Sequence, residues 1–249
     1  MSTNDSPLEL EIKSILINHL IDGWLVGSQD LIINEFTVGD FSRRVDLALI
    51  KSERMFAFEI KSSADTLTRL QGQVDKYLTY FDKVIVVTAP KHTNKVIEQT
   101  PSYVAVWEVT ANNISIKRKG RVKLVSSKKE LIEMMTAIEL KKLARELKIN
   151  TPDTKRKSLE AVLSSVPAYK LRKAAIEFVR LRYQSRSDRF FGRLNEGLST
   201  PEDLDSLRQP NKRSSAAVNP SIESFISALE ELHQSSEGCF TPKSLIANV

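Results

Sequence analysis

Hydrophobic residues near the start of the chain recur every three or four positions. Within residues 8–21, Leu8, Ile12, Ile15 and Leu16 fall on one side of a helical wheel. A stripe of this kind is typical of an amphipathic helix that packs one face against a core. The sequence therefore predicts a first helix over this range.

Three short runs rich in β-branched and aromatic residues follow. They span residues 31–38, 43–50 and 55–62, and short polar stretches separate them. Runs of this length joined by polar turns are typical of antiparallel strands connected by hairpins. The pattern predicts two successive hairpins, and hence three antiparallel strands.

A second helix and a fourth strand are predicted next. From Asp65, hydrophobic residues recur at helical spacing as far as Phe81, and residues 83–89 form a short, continuous apolar run. A helix between two strands of one sheet normally makes a parallel crossover, so the fourth strand should run parallel to the third. Residues 103–110 and 114–120 predict a further pair of strands.

The second half of the chain has a different pattern. Three amphipathic segments, at residues 137–149, 158–166 and 168–186, predict a helical region. Beyond Gly192 the sequence is polar and interrupted by prolines, which favours a flexible linker, and residues 221–234 predict one acidic amphipathic helix. This last helix is expected to dock on the basic segment, on another copy of the chain or on a partner protein.

These elements divide the chain into three regions. We expect an α/β domain over residues 1–125, a basic all-α domain over 126–195, and the linker with its helix over 196–249. The formal charge of each region is its number of lysines and arginines less its number of aspartates and glutamates. It is 16 − 15 = +1, 17 − 8 = +9 and 4 − 8 = −4 in chain order, which sums to the net charge of +6. The concentrated positive charge suits nucleic acid as a partner. The alternative is a solvated, lysine-rich helical surface.

The composition argues against several classes of protein. One cysteine and three scattered histidines exclude an intrachain disulfide and a cysteine-based zinc cluster. Glycine-rich phosphate-binding motifs do not occur, so no nucleotide cofactor is expected. No apolar run is long enough for a membrane span and the N-terminus lacks the layout of a signal peptide, so we expect a cytoplasmic protein.

The hairpins predict which residues face each other. In an antiparallel pair, the numbers of opposed residues add to a constant that the turn fixes. A hairpin centred on residues 52–53 gives a sum of 105 and places Asp46 opposite Glu59. A hairpin centred on residues 40–41 gives a sum of 81 and places Glu35 opposite Asp46. Three carboxylates are therefore expected in one row across three strands.

Strand alternation supports this acidic face. Lys61, two residues after Glu59, should share it. The intervening apolar residues should all point the other way, into the core: Phe36, Val45, Leu47, Phe58 and Ile60.

Opposed carboxylates repel unless a cation lies between them, and an oxygen-only ligand set suits Mg²⁺ or Mn²⁺. The alternative is a solvated sheet face on which Arg43, Arg44 and Lys61 are ion-pair partners of the acids.

The same residues carry a family resemblance. Asp46 followed by Glu59-Ile60-Lys61, on consecutive strands behind a helix with glutamates, resembles the PD-(D/E)XK, or restriction-endonuclease-like, nuclease superfamily. The stretches RRVDLALI, FEIKSSADTLTRLQGQVDKY and FDKVIVVT resemble a poorly characterised bacterial and phage group within it. The resemblance covers about residues 8–110, and Val45 stands where the motif often has proline. It implies a restriction-endonuclease-like core of a helix, three antiparallel strands, a helix and a parallel strand.

The resemblance also implies roles for these residues. Asp46 and Glu59 would bind the metal, and Lys61 would orient or activate the attacking water. Members of the superfamily often add a glutamate from the first helix, which here is Glu9 or Glu11. Glu35 competes for that role, and we rank Glu35 first, Glu11 second and Glu9 third.

A Q-x-x-x-Y pattern in the second helix resembles one in recombination-type nucleases of the superfamily. Gln73 and Tyr77 make up this pattern and lie on one helix face. Gln73 is expected to contact a phosphate or the attacking water, and Tyr77 is expected to be a core residue.

Basic residues supply candidate contacts to the DNA backbone. Residues 137–166, a helix, a loop with Lys155-Arg156-Lys157 and a second helix, resemble the SAP-type DNA-binding motif; a generic helical bundle is the alternative. Contacts of this kind give salt-sensitive affinity that is largely independent of sequence. The candidates are Arg44, Arg69, Lys141, Lys142, Lys155, Arg156, Lys157, Arg172 and Lys173.

Together these features predict a metal-dependent deoxyribonuclease, acting in DNA repair, recombination or phage and defence processes. The alternative is a non-cleaving DNA-binding or repair-scaffold protein that keeps the nuclease fold. A third interpretation is a subunit that a protein partner regulates through the C-terminal helix.

Overall fold

The computed structural model of the protein describes residues 9–23, 25–39, 43–111, 113–194 and 198–207. These residues belong to one compact unit. The helices are α1 (Glu9–Asp22), α2 (Leu70–Tyr80), α3 (Thr93–Gln99), α4 (Lys128–Glu133), α5 (Ala137–Glu146), α6 (Arg156–Leu163) and α7 (Ala168–Arg193). The strands are β1 (Leu31–Val38), β2 (Arg43–Lys51), β3 (Arg54–Lys61), β4 (Lys83–Thr88), β5 (Ala105–Thr110) and β6 (Asn113–Arg118).

The six strands form one mixed sheet in chain order, so the expectation of a mixed α/β architecture is confirmed. Strands β1, β2 and β3 pair antiparallel, β3, β4 and β5 pair parallel, and β6 returns antiparallel to β5. The observed β1–β2 pairs all sum to 81, as in Leu31 with Ile50, and the β2–β3 pairs sum to 105, as in Leu47 with Phe58. Both predicted registers are therefore confirmed.

Two short helices are additions to the predicted order. The segment TNKVIEQ forms α3 and makes a second parallel crossover, between β4 and β5. The helix α4 precedes the predicted helical region. Both are too short to display a helical period, since they hold six or seven residues.

The two faces of the sheet are covered by different helices. On one face, Ile12 and Leu16 of α1 are fully buried against Leu47 of β2 and Phe58 of β3. On the other face lies α2, whose Tyr77 is fully buried. Strand alternation therefore sends Phe58 and Ile60 toward α1 and Glu59 and Lys61 toward α2.

The helix α2 begins later than predicted. The carboxylate Oδ2 of Asp65 accepts hydrogen bonds from the backbone N and the hydroxyl of Ser62, at 2.8 and 2.6 Å. Residues 62–69 instead make a loop, and the first helical residue is Leu70.

The predicted boundary at residue 125 does not separate two bodies. Phe190 of α7 is fully buried in the core cluster between the sheet and α1. The hydroxyl of Ser187 accepts a hydrogen bond from the backbone N of Ile32 in β1 at 3.1 Å. The helical region is therefore part of the same unit as the sheet.

Phe36 departs from the predicted face. Its ring lies 6.0 Å from that of Phe81, at the end of α2, and 5.7 Å from that of Tyr183 in α7. Ile32, on the same strand, instead belongs to the cluster with α1. The reason is Glu35, whose φ of 60° is left-handed and interrupts the alternation of the strand.

The C-terminal predictions lie mainly outside the described residues. They comprise most of the linker and the acidic helix at residues 221–234. Within the described ranges, no helix combines the length and the hydropathy that crossing a membrane requires.

Candidate functional site

Asp46 lies where β2 and β3 separate. The last observed pair of their ladder joins Leu47 to Phe58, and Asp46 is the next residue of β2. Its carboxylate Oδ2 accepts a hydrogen bond from the backbone N of Ile60 at 2.7 Å. The carboxylate is therefore held against β3, beside the residues that follow the last pair.

Glu59 and Lys61 stand together on the α2 face of β3. The Glu59 side chain is 1% exposed, and its Oε1 accepts a hydrogen bond from Lys61 Nζ at 2.6 Å. A short contact between two ionised groups is a strong, charge-assisted hydrogen bond. The rigid central strand thus presents a carboxylate and an ammonium as one unit.

The environment disfavours two negative charges. Burial and the neighbouring charge of Glu59 raise the pKa of Asp46 from 3.8 to about 7, although the backbone hydrogen bond from Ile60 opposes this. Burial also raises the pKa of Glu59, and Lys61 opposes that increase. The positive charge beside Asp46 and Glu59 is therefore too small to keep both carboxylates readily ionised.

The helix α2 adds polar groups to the same place. Gln73 and Tyr77 are one turn apart, and both act on the pKa of Glu59. The Tyr77 hydroxyl donates to the backbone O of Arg44 at 2.8 Å, and the pKa of Tyr77 is raised by burial and by the charges of Glu59 and Asp46. Tyr77 is thus buried, as predicted, and is also a wall of the site.

Two buried oxygen atoms at the site have no hydrogen-bond donor in the described part of the chain. They are Oε2 of Glu59 and Oε1 of Gln73. A buried acceptor without a donor costs free energy, and a bound cation can satisfy such an oxygen.

The first helix contributes Lys13 and Glu9, which sequence reasoning missed or ranked last. Lys13 is 2% exposed, and its Nζ lies 2.8 Å from Glu9 Oε1 and 3.1 Å from Asn34 Oδ1. Both charged groups act on the pKa of Asp46, Lys13 lowering it and Glu9 raising it. A signal for Lys13 was present, since it lies one turn before Ile17 on the buried stripe of the helix.

The structure does not place Glu35 or Glu11 as expected. Glu35 lies opposite Asp46 in register, but its left-handed backbone accompanies an ion pair with Arg44, at 3.2 Å between Oε2 and Nη1. Glu11 is exposed on α1, whereas Glu9 carries the ion pair to the buried Lys13. The row of three carboxylates is thus reduced to the pair Asp46 and Glu59.

The residues present fit a hard divalent cation through few protein ligands. Among the described residues, no three histidine, cysteine or acidic side chains come together as a ligand set. Mg²⁺ commonly uses one or two carboxylates, with waters and substrate phosphate oxygens completing its shell. Asp46, Glu59 Oε2 and Gln73 Oε1 supply such oxygens.

The candidate DNA contacts divide into exposed and internally engaged residues. Arg172 donates to both carboxylate oxygens of Asp82 at 2.9 and 2.5 Å, and Arg156 donates to the backbone O of Met135 at 2.9 Å. Lys142 lies 5.7 Å from the ring of Phe178. These three side chains therefore help to hold the helices together. The exposed candidates are Arg44, Arg69, Lys141, Lys155, Lys157 and Lys173.

The chain combines a mixed α/β fold with the carboxylate pair of Asp46 and Glu59. The chain belongs to the bacteriophage P4 protein cII family, whose sequence pattern matches residues 2–208. Protein cII of Enterobacteria phage P4 is 35% identical over 217 residues, which cover 84% of this chain and 81% of that protein. Among solved structures, the SPO1766 protein of unknown function from Silicibacter pomeroyi covers 59% of this chain and 90% of its own, with 14% identity and a TM-score of 0.38.

Proposed function

We propose that the protein is a Mg²⁺- or Mn²⁺-dependent hydrolase of DNA phosphodiester bonds, built on a restriction-endonuclease-like core. The observation that carries this proposal is the pair of half-buried Asp46 and buried Glu59 beside Lys61, with one oxygen of Glu59 left without a donor among the described residues. The order of α1, three antiparallel strands, α2 and the parallel strand β4 supports the proposed core.

The two carboxylates and Lys61 have different tasks. Asp46 and Glu59 would hold the cation, and the hydrogen bonds from Ile60 N and Lys61 Nζ fix their orientation. A divalent cation at this place would lower the pKa of a water and neutralise charge on the phosphate. Lys61 keeps an ammonium beside Glu59, where it orients the attacking water toward the phosphorus.

The exposed basic residues supply affinity for the DNA backbone. Arg69 directly precedes α2, and Lys155 and Lys157 stand at the start of α6. Their contacts to phosphates would position the strand without reading its sequence. The affinity should therefore fall steeply as salt concentration rises.

Cleavage assays with defined DNA substrates test the proposal. Wild type, Asp46→Asn and Glu59→Gln are incubated with linear, circular, single-stranded and branched DNA in Mg²⁺ or Mn²⁺. We expect wild type to cut at least one substrate, and each variant to lose about a hundredfold or more in rate because a carboxylate ligand is removed. Asp22→Asn, at the exposed end of α1, is the matched control and should cut at the wild-type rate. Absence of cleavage by wild type, or equal cleavage by the two site variants, would contradict the proposal.

A second function, DNA binding without cleavage, is favoured by one observation. The described residues do not bring a third acidic, histidine or cysteine ligand to the pair. Under this function, wild type binds DNA but releases no product with either metal. Gel-shift affinity would then survive Asp46→Asn and fall when Lys155 and Lys157 become alanine.

A further inference from the structure

A cleft of about 590 Å³ opens at the carboxyl ends of the parallel strands β3 and β4. One wall is the loop between β3 and α2 with the first turn of α2. The other wall is the 3-10 helix Pro90–His92 with α3. The volume is that of a site for a small ligand or one unit of a polymer. The lining includes Thr66, Leu67, Thr68, Gln71, His92 and Lys95.

Both walls are anchored beside Lys61. The backbone O of Lys61 accepts a hydrogen bond from Ala89 N at 2.9 Å, which ties the end of β3 to the residue after β4. Ser62 is bonded to Asp65 at the start of one wall, and His92 N donates to Ala89 O at 3.0 Å at the start of the other. The cleft therefore adjoins the end of the strand that carries Glu59 and Lys61.

The lining suits a phosphate and a sugar. Thr66, Thr68 and Lys95 are exposed on the walls, and hydroxyl and ammonium groups are common ligands of backbone phosphates. Leu67 is buried and offers an apolar surface. Asp65, the acid of the lining, accepts hydrogen bonds from the backbone N and the hydroxyl of Ser62 through its Oδ2.

His92 adds an atom that a ligand would satisfy. Its Nε2 is buried and has no hydrogen-bond partner among the described residues. A buried polar atom without a partner is rare in folded proteins and is stabilised when a ligand supplies the missing group. His92 lies on the cleft lining and is half-buried, so its ring must turn before Nε2 can meet a molecule in the cleft.

We propose that this cleft binds the nucleotide next to the scissile phosphate of the DNA strand. Lys95 contacts the phosphate of that nucleotide, and His92 turns its ring so that Nε2 hydrogen-bonds to the nucleotide itself. The proposal rests on the proposed function, because it takes the scissile phosphate to lie at Glu59 and Lys61.

Binding measured without cleavage tests the cleft by itself. The isotope-labelled protein is titrated in EDTA with the dinucleotides pTpT and TpT and with inorganic phosphate, and resonance shifts are followed by NMR. We expect pTpT to shift resonances of the two walls and to bind more tightly than TpT or phosphate. Lys95→Ala and His92→Ala should each weaken pTpT binding about fivefold, as expected for one lost hydrogen bond to a charged or buried group.

Lys91→Ala is the matched control. Lys91 is exposed on the same 3-10 helix as His92 but is not among the lining residues of the cleft. Lys91→Ala therefore shows how much affinity is lost when one positive charge is removed outside the cleft. It should leave pTpT affinity within about twofold. Thermal denaturation checks that His92→Ala is folded, and the exposed Lys95 provides a test that does not depend on that variant.

The outcomes separate this proposal from the proposed function. If wild type cleaves DNA but both cleft variants bind pTpT normally, the cleft proposal is overturned and the hydrolase stands. If phosphate alone binds as tightly as pTpT, the nucleotide assignment is overturned. If pTpT occupies the cleft with the expected losses in both variants, while wild type cleaves no DNA, nucleotide binding is supported and hydrolysis fails.

Discussion

At the scale of single residues, the candidate site lowers the stability of the fold. Burial raises the pKa of both Asp46 and Glu59, and the charge of Glu59 also opposes ionisation of Asp46. Lys61 and Lys13 relieve this only in part, since the pKa of Asp46 still reaches about 7. A carboxyl group whose pKa is higher in the folded than in the unfolded state destabilises the fold at high pH, where it must ionise.

Asp46→Asn should therefore stabilise the protein at pH 8 in EDTA. The folded-state pKa of about 7 lies above the usual 3.8, so the native protein binds the extra proton and wild type loses stability as pH rises between these values. The variant should gain on the order of 1–3 kcal/mol over wild type at pH 8, less at pH 5, and nothing further above pH 8. Urea denaturation across this range measures the difference.

The exposed substitution Asp22→Asn gives the baseline for this comparison. It should show no pH-dependent gain. A variant of Asp46 that is less stable than wild type at pH 8 would show that the carboxylate is stabilised rather than strained.

At the scale of elements, hydrophobic periodicity and turn positions were sufficient to predict much of the sheet. They fixed the registers of both hairpins, and with them the approach of Asp46 to Glu59. The left-handed Glu35 could not be predicted, because glutamate carries no signal for that conformation. The helical stripe places Lys13 on the buried side of α1, but its contact with Asn34 depends on packing of α1 against β1, which no local pattern contains.

The stability of variants at position 35 should depend on the backbone preference of the new residue rather than on its charge. Glu35→Val forces a β-branched side chain into a left-handed conformation and should cost about 1–2 kcal/mol of unfolding free energy. Glu35→Asn, which removes the same charge but tolerates this conformation, should lie within about 0.5 kcal/mol of wild type. Chemical denaturation distinguishes the two variants. Equal losses would instead assign the cost to the ion pair with Arg44.

At the scale of the molecule, the helical region is part of the sheet's own core. The expected boundary at residue 125 followed a change in composition and charge, whereas the contacts that join the halves link distant residues. Arg172 and Asp82 are 90 positions apart, and Ser187 and Ile32 are 155 apart. Local sequence patterns do not encode such pairings.

Residues 9–207 should accordingly unfold in one cooperative transition. Phe190→Ala should remove about 3–5 kcal/mol from it, because this α7 side chain is fully buried against the sheet and α1. Tyr169→Ala on the same helix is 69% exposed and should cost less than about 0.5 kcal/mol. Calorimetry and circular dichroism would follow the transition. Two transitions, with only the later residues affected by Phe190→Ala, would restore the two-domain interpretation.

The ion pair between Asp82 and Arg172 has a consequence for folding during synthesis. This carboxylate is 2% exposed and accepts hydrogen bonds from Met55 N, Val125 N and the guanidinium of Arg172. During synthesis the sheet strands emerge first, yet the cation that neutralises Asp82 arrives only with α7. A chain that stops at residue 125 therefore lacks the cation that pairs with Asp82, and a buried charge without its partner is strongly destabilising. The sheet that holds Asp46 and Glu59 thus obtains this ion pair only after the ribosome has made α7.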